Sequence, residues 1–264
     1  MTRRTWDGCS RSVSQNRPIC SAGLLRATAC SAGCRSTPTG GYLLPERWQA
    51  AGYTRCVSTA VVVVIYTVID EQLSALLIER AAEPYRGHWA LAGGLLLEGE
   101  SLQGAAERKL ADETGVSDVY LEQLFTFDRV PGGQADVVVA YFALVDVART
   151  RLRAELEWRP AWQPARALPA LAFENERMLG YAEQRLRSKL EYTNVVYSLL
   201  PRRFTLTAMQ RVYEAILGET MDKRNFRRRM VSLGIVRETG QTAKTGAHRP
   251  AMLYEFTSRE PMIL

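Results

Sequence analysis

Between residues 94 and 116 the chain reads Gly-Leu-Leu-Leu-Glu-Gly-Glu-Ser-Leu-Gln-Gly-Ala-Ala-Glu-Arg-Lys-Leu-Ala-Asp-Glu-Thr-Gly-Val, a glycine-bounded loop running into a charged amphipathic segment. Leu102, Ala105, Ala106 and Leu110 recur at helical spacing, so 102–114 is expected as a helix with positions 109, 112 and 113 on one face. Three carboxylates there would form a hard-oxygen site for a magnesium ion bridging a diphosphate. This chain instead places Lys109, Asp112 and Glu113, and the formal charge of the trio is minus one rather than minus three. Lys109 can neutralise a neighbour and stand where a metal would sit. Asp112 is a methylene shorter than glutamate, which octahedral magnesium tolerates poorly. Chemistry that depends on such a metal is therefore expected to be weak or absent. Arg108 and Asp112 also have the spacing of an ion pair along a solvated helix face.

The segment resembles the Nudix box, G-x5-E-x7-R-E-U-x-E-E-x-G-U. Gly94, Glu100, Arg108, Leu110, Glu113, Gly115 and Val116 are in register; Lys109 and Asp112 depart from the two helix glutamates. The approach His88-Trp89-Ala90-Leu91-Ala92-Gly93-Gly94 resembles the strand and turn that precede the box, with Ala92 where proline is common. The resemblance implies an α/β/α sandwich and an effector site at Gly93, Gly94 and Glu113. It implies a degenerate catalytic set of Glu100, Arg108, Lys109, Asp112 and Glu113, with Asp112 and Glu113 the remaining metal ligands. No cofactor is then required, and magnesium enters only with residual hydrolase activity.

Charge is distributed unevenly along the 264 residues. Residues 1–55 carry 8 lysines and arginines against 2 acids, 56–192 carry 14 against 20, and 193–264 carry 12 against 6. Basic ends around an acidic middle suggest a polyanion partner for the ends. The first 55 residues are rich in Ser, Gly and Arg and hold Cys9, Cys20, Cys30 and Cys34 at spacings unlike a zinc site, so they are expected as a disordered basic extension. Only Cys56 follows them, which implies a reducing, cytoplasmic setting, and no apolar stretch is long enough for a membrane span. A hydrophobic content of 47% supports a substantial core, read as two small domains plus the extension.

Thr59 to Tyr66 is a β-branched apolar run typical of a strand buried on both faces. Further strands are expected at 73–78, 89–91, 121–127 and 137–145. Residues 149–169 hold Pro160, Pro164 and Pro169 and read as a connection with an extra strand at its start. Trp158 and Trp162 within it either cap a core or stack on a base, the first being preferred. His88 is expected to order the loop before the box.

From Phe173 onward the pattern turns helical. Residues 174–192 form an amphipathic helix with Met178, Tyr181, Leu186 and Leu190 facing inward. Phe204-Thr205-Leu206-Thr207 can cap a second helix carrying Met209, Val212, Tyr213 and Ile216, which Gly218 closes. Asp222 can cap a third, with Phe226, Met230 and Leu233 inward and Lys223, Arg224, Asn225, Arg227 and Arg228 outward. Stretches 235–238 and 252–256 can pair around a basic loop. This order describes a winged helix-turn-helix, so the fold class is α+β: a Nudix α/β/α sandwich over 56–172 followed by the winged helix over 173–264. Thr205, Thr207, Lys223, Arg224, Asn225, Arg227 and Arg228 are the candidate DNA contacts, joined in the wing by Lys244, His248 and Arg249.

The runs Lys189-Leu190-Glu191-Tyr192-Thr193, Leu199-Leu200-Pro201, Phe204 to Thr207, Gln210 to Ile216, Asp222 to Arg228 and Arg249-Pro250 resemble the Nudix-related transcriptional regulators called NrtR. That likeness implies a dimeric repressor of NAD-biosynthesis genes, bound to a double-stranded palindrome and sensing ADP-ribose or a related nucleotide through a degenerate box. Relatives of the same architecture that sense a sugar form one alternative. An active pyrophosphatase of ADP-ribose or nucleoside-diphosphate sugars forms the other.

Overall fold

A computed structural model of the chain describes residues 57–117, 119–128, 130–153, 158–243 and 250–264. The expected extension and all five cysteines lie outside the described residues, as do Lys244, His248 and Arg249 of the expected wing.

The β-branched run becomes β1 (Thr59–Ile69), the middle of a seven-stranded mixed sheet. Because strand side chains alternate between faces, Val61, Val63 and Ile65 enter one apolar layer while Val64 and Tyr66 enter the other, all buried. On one side β1 pairs antiparallel with β2 (Gln72–Arg80) and with β4 (Ala92–Leu95), which follows the short β3 (Trp89–Ala90). On the other side it pairs parallel with β6 (Val137–Leu144), beyond which β5 (Tyr120–Asp128) forms the edge.

The extra strand of the proline-containing stretch is β7 (Trp158–Pro164), in its second half rather than at its start. It pairs along β2, and among the described residues with no other strand, so Pro160 and Pro164, which lack an N–H, are tolerated at that edge. Trp162 packs against the adjoining apolar layer.

The box helix, α1 (Leu102–Thr114), covers one face of the sheet with Ala105, Ala106 and Leu110. The Ser101 hydroxyl accepts the Gly104 N–H at 3.0 Å to start it, and Gly115, at φ 67°, closes it. The opposite face is covered by α2 (Asn175–Tyr192), so the α/β/α sandwich is present. One expected inward residue of α2 is corrected: Tyr181 is 39% exposed and stacks on Phe125 at 5.1 Å. Ala182 takes the inward place, because Met178, Ala182, Leu186 and Leu190 advance four by four along the buried face.

A 3-10 turn (Val195–Leu199) leads to α3 (Leu206–Leu217), α4 (Lys223–Ser232) and the hairpin of β8 (Val236–Ala243) and β9 (Ala251–Phe256). The expected caps are in place. Thr205 accepts from Ala208, Gly218 turns left-handed at φ 78°, and Asp222 accepts from Asn225. Leu233, expected inward, is 39% exposed, since α4 ends at Ser232 and only Phe226 and Met230 reach the interior. One continuous apolar core runs from Phe142 and Leu144 of the sheet through Leu186 and Val196 to Met209, Phe226 and Phe256. The described residues fall within one compact unit.

Polar anchors fasten α2 and the tail. Glu122 on β5 accepts from Lys189 at 2.7 Å, from Arg185 at 2.9 Å and from the Tyr120 hydroxyl. Burial alone would push the Glu122 carboxyl up, but these donors hold it below the ordinary range. Asn194, 1% exposed, accepts from the Met262 N–H and donates to the carbonyls of Ser258 and Glu260.

Candidate functional site

The loop from Gly94 to Ser101 is closed by an ion pair. Arg108 grips both oxygens of Glu100 at 2.7 and 2.8 Å, and Glu100 also accepts the Leu97 N–H. The Arg108 guanidinium holds the Glu100 carboxyl down to about 2. These two expected members of the box therefore shape its loop.

The remaining trio does not share a face. An α-helix advances about 100° per residue, so Asp112 lies well round the helix from Glu113. Glu113 is buried, 4% exposed, whereas Asp112 is exposed beside Arg108 at 3.9 Å. The expected metal pair of Asp112 and Glu113 is thus corrected to one inward carboxylate. Lys109 joins Glu113 in a recess of about 220 Å³ with Arg80, Leu91 and Gly93. Its Cε and Nζ lie over Gly94, 3.0 and 3.5 Å from where a Cβ would project. The described residues contain no cluster of three His, Cys, Asp or Glu able to hold a metal. An ammonium and one carboxylate do not fit the all-oxygen shell that magnesium requires.

Beside this recess, and sharing Arg80, Ala90, Leu91 and Gly93 with it, lies a second chamber of about 320 Å³. That volume is within the range of small-molecule sites. The expected Gly93 and Gly94 line it, and Gly93 is compelled to be small because a Cβ there would come within 2.9 Å of the Val61 carbonyl.

The other walls come from loops 80–88 and 130–135 and from the start of α2, none of which was assigned from sequence. Arg80 lies over the Phe173 ring at 4.8 Å and its Nε donates to the Pro84 carbonyl. Tyr85 meets Phe173 edge-on at 4.9 Å and its hydroxyl donates to the Pro131 carbonyl. Asn175, 3% exposed, accepts the N–H of Leu91 at 2.8 Å and so ties α2 to the strand before the box. Tyr85, Phe173 and Glu174 all have φ between 52° and 67°. Left-handed backbone is costly for such residues, and such strain concentrates at ligand sites. His88 meets Tyr85 edge-on, with 5.8 Å between ring centres.

The second candidate surface is α4. Lys223, Arg224, Asn225, Arg227 and Arg228 are all exposed, as expected, opposite buried Phe226 and Met230. Arg229 extends the basic surface, and Val231, 53% exposed, adds an apolar contact on the outward stripe with Arg224 and Arg228. Of the two threonines, Thr205 spends its hydroxyl on the cap of α3, and Thr207 is half-buried in the first turn. Arg202 and Arg203 precede α3 and are exposed; Arg203 donates to Gln241 on β8. Their sequence signal is the Pro201-Arg202-Arg203-Phe204 run, two cations just ahead of a capped helix.

Residues 58–181 match the family model of the NUDIX domain, and 196–256 match that of the NrtR DNA-binding winged helix domain. The chain is 39% identical over 204 residues to the ADPR responsive transcriptional repressor NtrR of Acinetobacter baylyi, covering 74% of this chain and 80% of that one. It is similar to the crystal structure of Shewanella oneidensis NrtR complexed with a 27mer DNA, with a TM-score of 0.68 at 33% identity over 75% of this chain and 93% of that one. Over 116 residues it is 30% identical to the ADP-ribose pyrophosphatase of Methanocaldococcus jannaschii, covering 42% of this chain and 67% of that one.

Proposed function

The chain belongs to the NrtR family, a Nudix domain joined to an NrtR winged helix, and from that premise we propose that it is a DNA-binding transcriptional repressor whose Nudix domain senses ADP-ribose or a closely related nucleotide. The observation that carries this reading is the course of α2. Its first residues, Asn175 and Met178, wall the chamber, and the same helix packs on α3 and on the 3-10 turn, α3 in turn packing on the basic helix. A ligand that shifts Phe173 or Asn175 thereby moves a rigid element that the DNA-binding helices rest on. The coupling equals the difference in ligand affinity between the two arrangements.

In this reading α4 enters the major groove. Arg224 and Arg228 have the length and fork to read guanine edges, Asn225 suits adenine, and Val231 offers methyls to thymine. Arg202 and Arg203 approach phosphates. The active form is a homodimer spanning a palindrome, with two α4 helices about one DNA turn apart. It works where the DNA is, in the cytoplasm, and no helix of the described residues is long and apolar enough to cross a membrane. The regulated genes are those of NAD biosynthesis. No cofactor and no hydrolytic step belong to this function, since one inward carboxylate beside Lys109 is a poor magnesium site.

Fluorescence anisotropy on a duplex from the protein's own gene neighbourhood, against a scrambled duplex at fixed salt, tests the reading. Specific binding that ADP-ribose weakens supports it. Equal weak binding to both duplexes, or specific binding indifferent to bound ADP-ribose, refutes it.

A further inference from the structure

A diphosphate brings two or more negative charges into a cleft, and something positive must meet them. In a metal-dependent hydrolase the carboxylates of the box helix hold magnesium for that purpose. Here the side chain that reaches over Gly94 from α1 is an ammonium. Asp112 points away, and Glu113 shares the recess with Lys109 and Arg80. The recess therefore carries two cations against one carboxylate, a polarity opposite to that of a metal-binding box.

The arrangement is continuous with the larger chamber. Arg80 belongs to both, anchored through its Nε to the Pro84 carbonyl and stacked over Phe173, so its guanidinium fork is oriented before any ligand arrives. Lys109 sits one helix turn before Glu113, at the end of the recess nearest the box loop. The apolar and aromatic chamber around Phe173, Val62 and Leu91 is sized for a nucleoside. The recess beyond Gly93 then receives the phosphates. An arginine fork and a lysine point charge are the two side chains best suited to phosphate oxygens without a metal.

We propose that this chain binds the diphosphate of its effector without magnesium, with Lys109 and Arg80 supplying the positive charge that a metal supplies in a hydrolase. The inference rests on the nucleotide-sensing reading above but concerns the diphosphate alone. One substitution in the box would thus both remove a metal ligand and install the counter-charge that keeps the ligand bound and intact.

Isothermal titration of the full chain with ADP-ribose, ADP and inorganic pyrophosphate, each with EDTA and again with magnesium, tests it. Wild-type affinity for ADP-ribose should be the same within about twofold in both buffers. Lys109→Gln should lower it about tenfold or more in both, the loss expected for a charge-assisted hydrogen bond. Duplex affinity of the ligand-free variant, retained near wild type, reports that the variant is folded. Lys109→Glu should bind only when magnesium is present. A wild-type protein that needs magnesium to bind, or Lys109→Gln binding as tightly as wild type, overturns the proposal. Should ADP-ribose fail to bind while ADP or pyrophosphate binds in EDTA through Lys109, the effector assignment falls and this inference stands. Should none of the three bind in EDTA, the inference falls.

Discussion

Replacing Asn175 by alanine tests whether the start of α2 holds the effector chamber together. The Asn175 Oδ1 accepts the Leu91 N–H at 2.8 Å, and both residues are buried, at 3% and 6% exposure. The Asn175 Nδ2 contacts, to the Phe173 carbonyl at 3.5 Å and the Met178 sulfur at 3.8 Å, are long and contribute little. The cost is therefore set by the orphaned Leu91 N–H. A buried donor left without a partner costs about 1–3 kcal/mol. With a urea m-value of about 2 kcal/mol per molar, the unfolding midpoint should fall by about 0.5–1.5 M at unchanged slope. The same change removes the side-chain tie between α2 and Leu91 while the backbone bridge of Trp89 to Leu171 remains, so the chamber wall loosens and the midpoint shift on adding saturating ADP-ribose should shrink as affinity falls. Chemical denaturation followed by tryptophan fluorescence, with and without ADP-ribose, measures both. A midpoint within about 0.2 M of wild type would show that the Leu91 N–H finds another partner and that Asn175 does not organise the chamber.

Three further outcomes are expected. Arg228→Ala should weaken operator binding by about 1–3 kcal/mol and relax preference at one position, whereas Arg203→Ala should weaken all duplexes alike and lower the salt slope by about one, both read from anisotropy across a salt series. Glu100→Gln should flatten the acid limb of stability. The Glu100 carboxyl is lowered in the folded chain from the ordinary 4.5 to about 2, so its contribution is present above 4.5 and lost as pH falls toward 2. Urea midpoints of wild type and variant should converge across that window, and a constant gap would contradict the assignment. Asn194→Ala removes three hydrogen bonds that hold the C-terminal segment Ser258–Met262. At roughly 1 kcal/mol each, with about 2–4 °C per kcal/mol, it should lower the melting temperature by about 6–12 °C in a calorimetric scan.

Local chemistry made much of this protein readable from its sequence. The β-branched run at 59–66, the apolar spacing of α1, and the caps Thr205, Gly218 and Asp222 act through neighbours a few residues away, and each element formed where those signals placed it. The outward basic face of α4 was legible for the same reason, since helical periodicity alone opposes Arg224 and Arg228 to Phe226 and Met230. Motif register supplied Gly93, Gly94, Glu100 and Arg108.

Tertiary structure decided the rest, because it depends on which segments meet. The fate of Lys109, Asp112 and Glu113 turns on where the sheet lies under α1, which sends Glu113 inward and leaves Asp112 in solvent. Arg80, Gln134 and Phe173 come from distant stretches of the chain and carry no common motif, yet they line one chamber because β2, two loops and the start of α2 converge there. Hydrophobic periodicity marks which side of an element is buried but not what it is buried against. For that reason the two expected domains share a core that runs unbroken from the sheet to the basic helix.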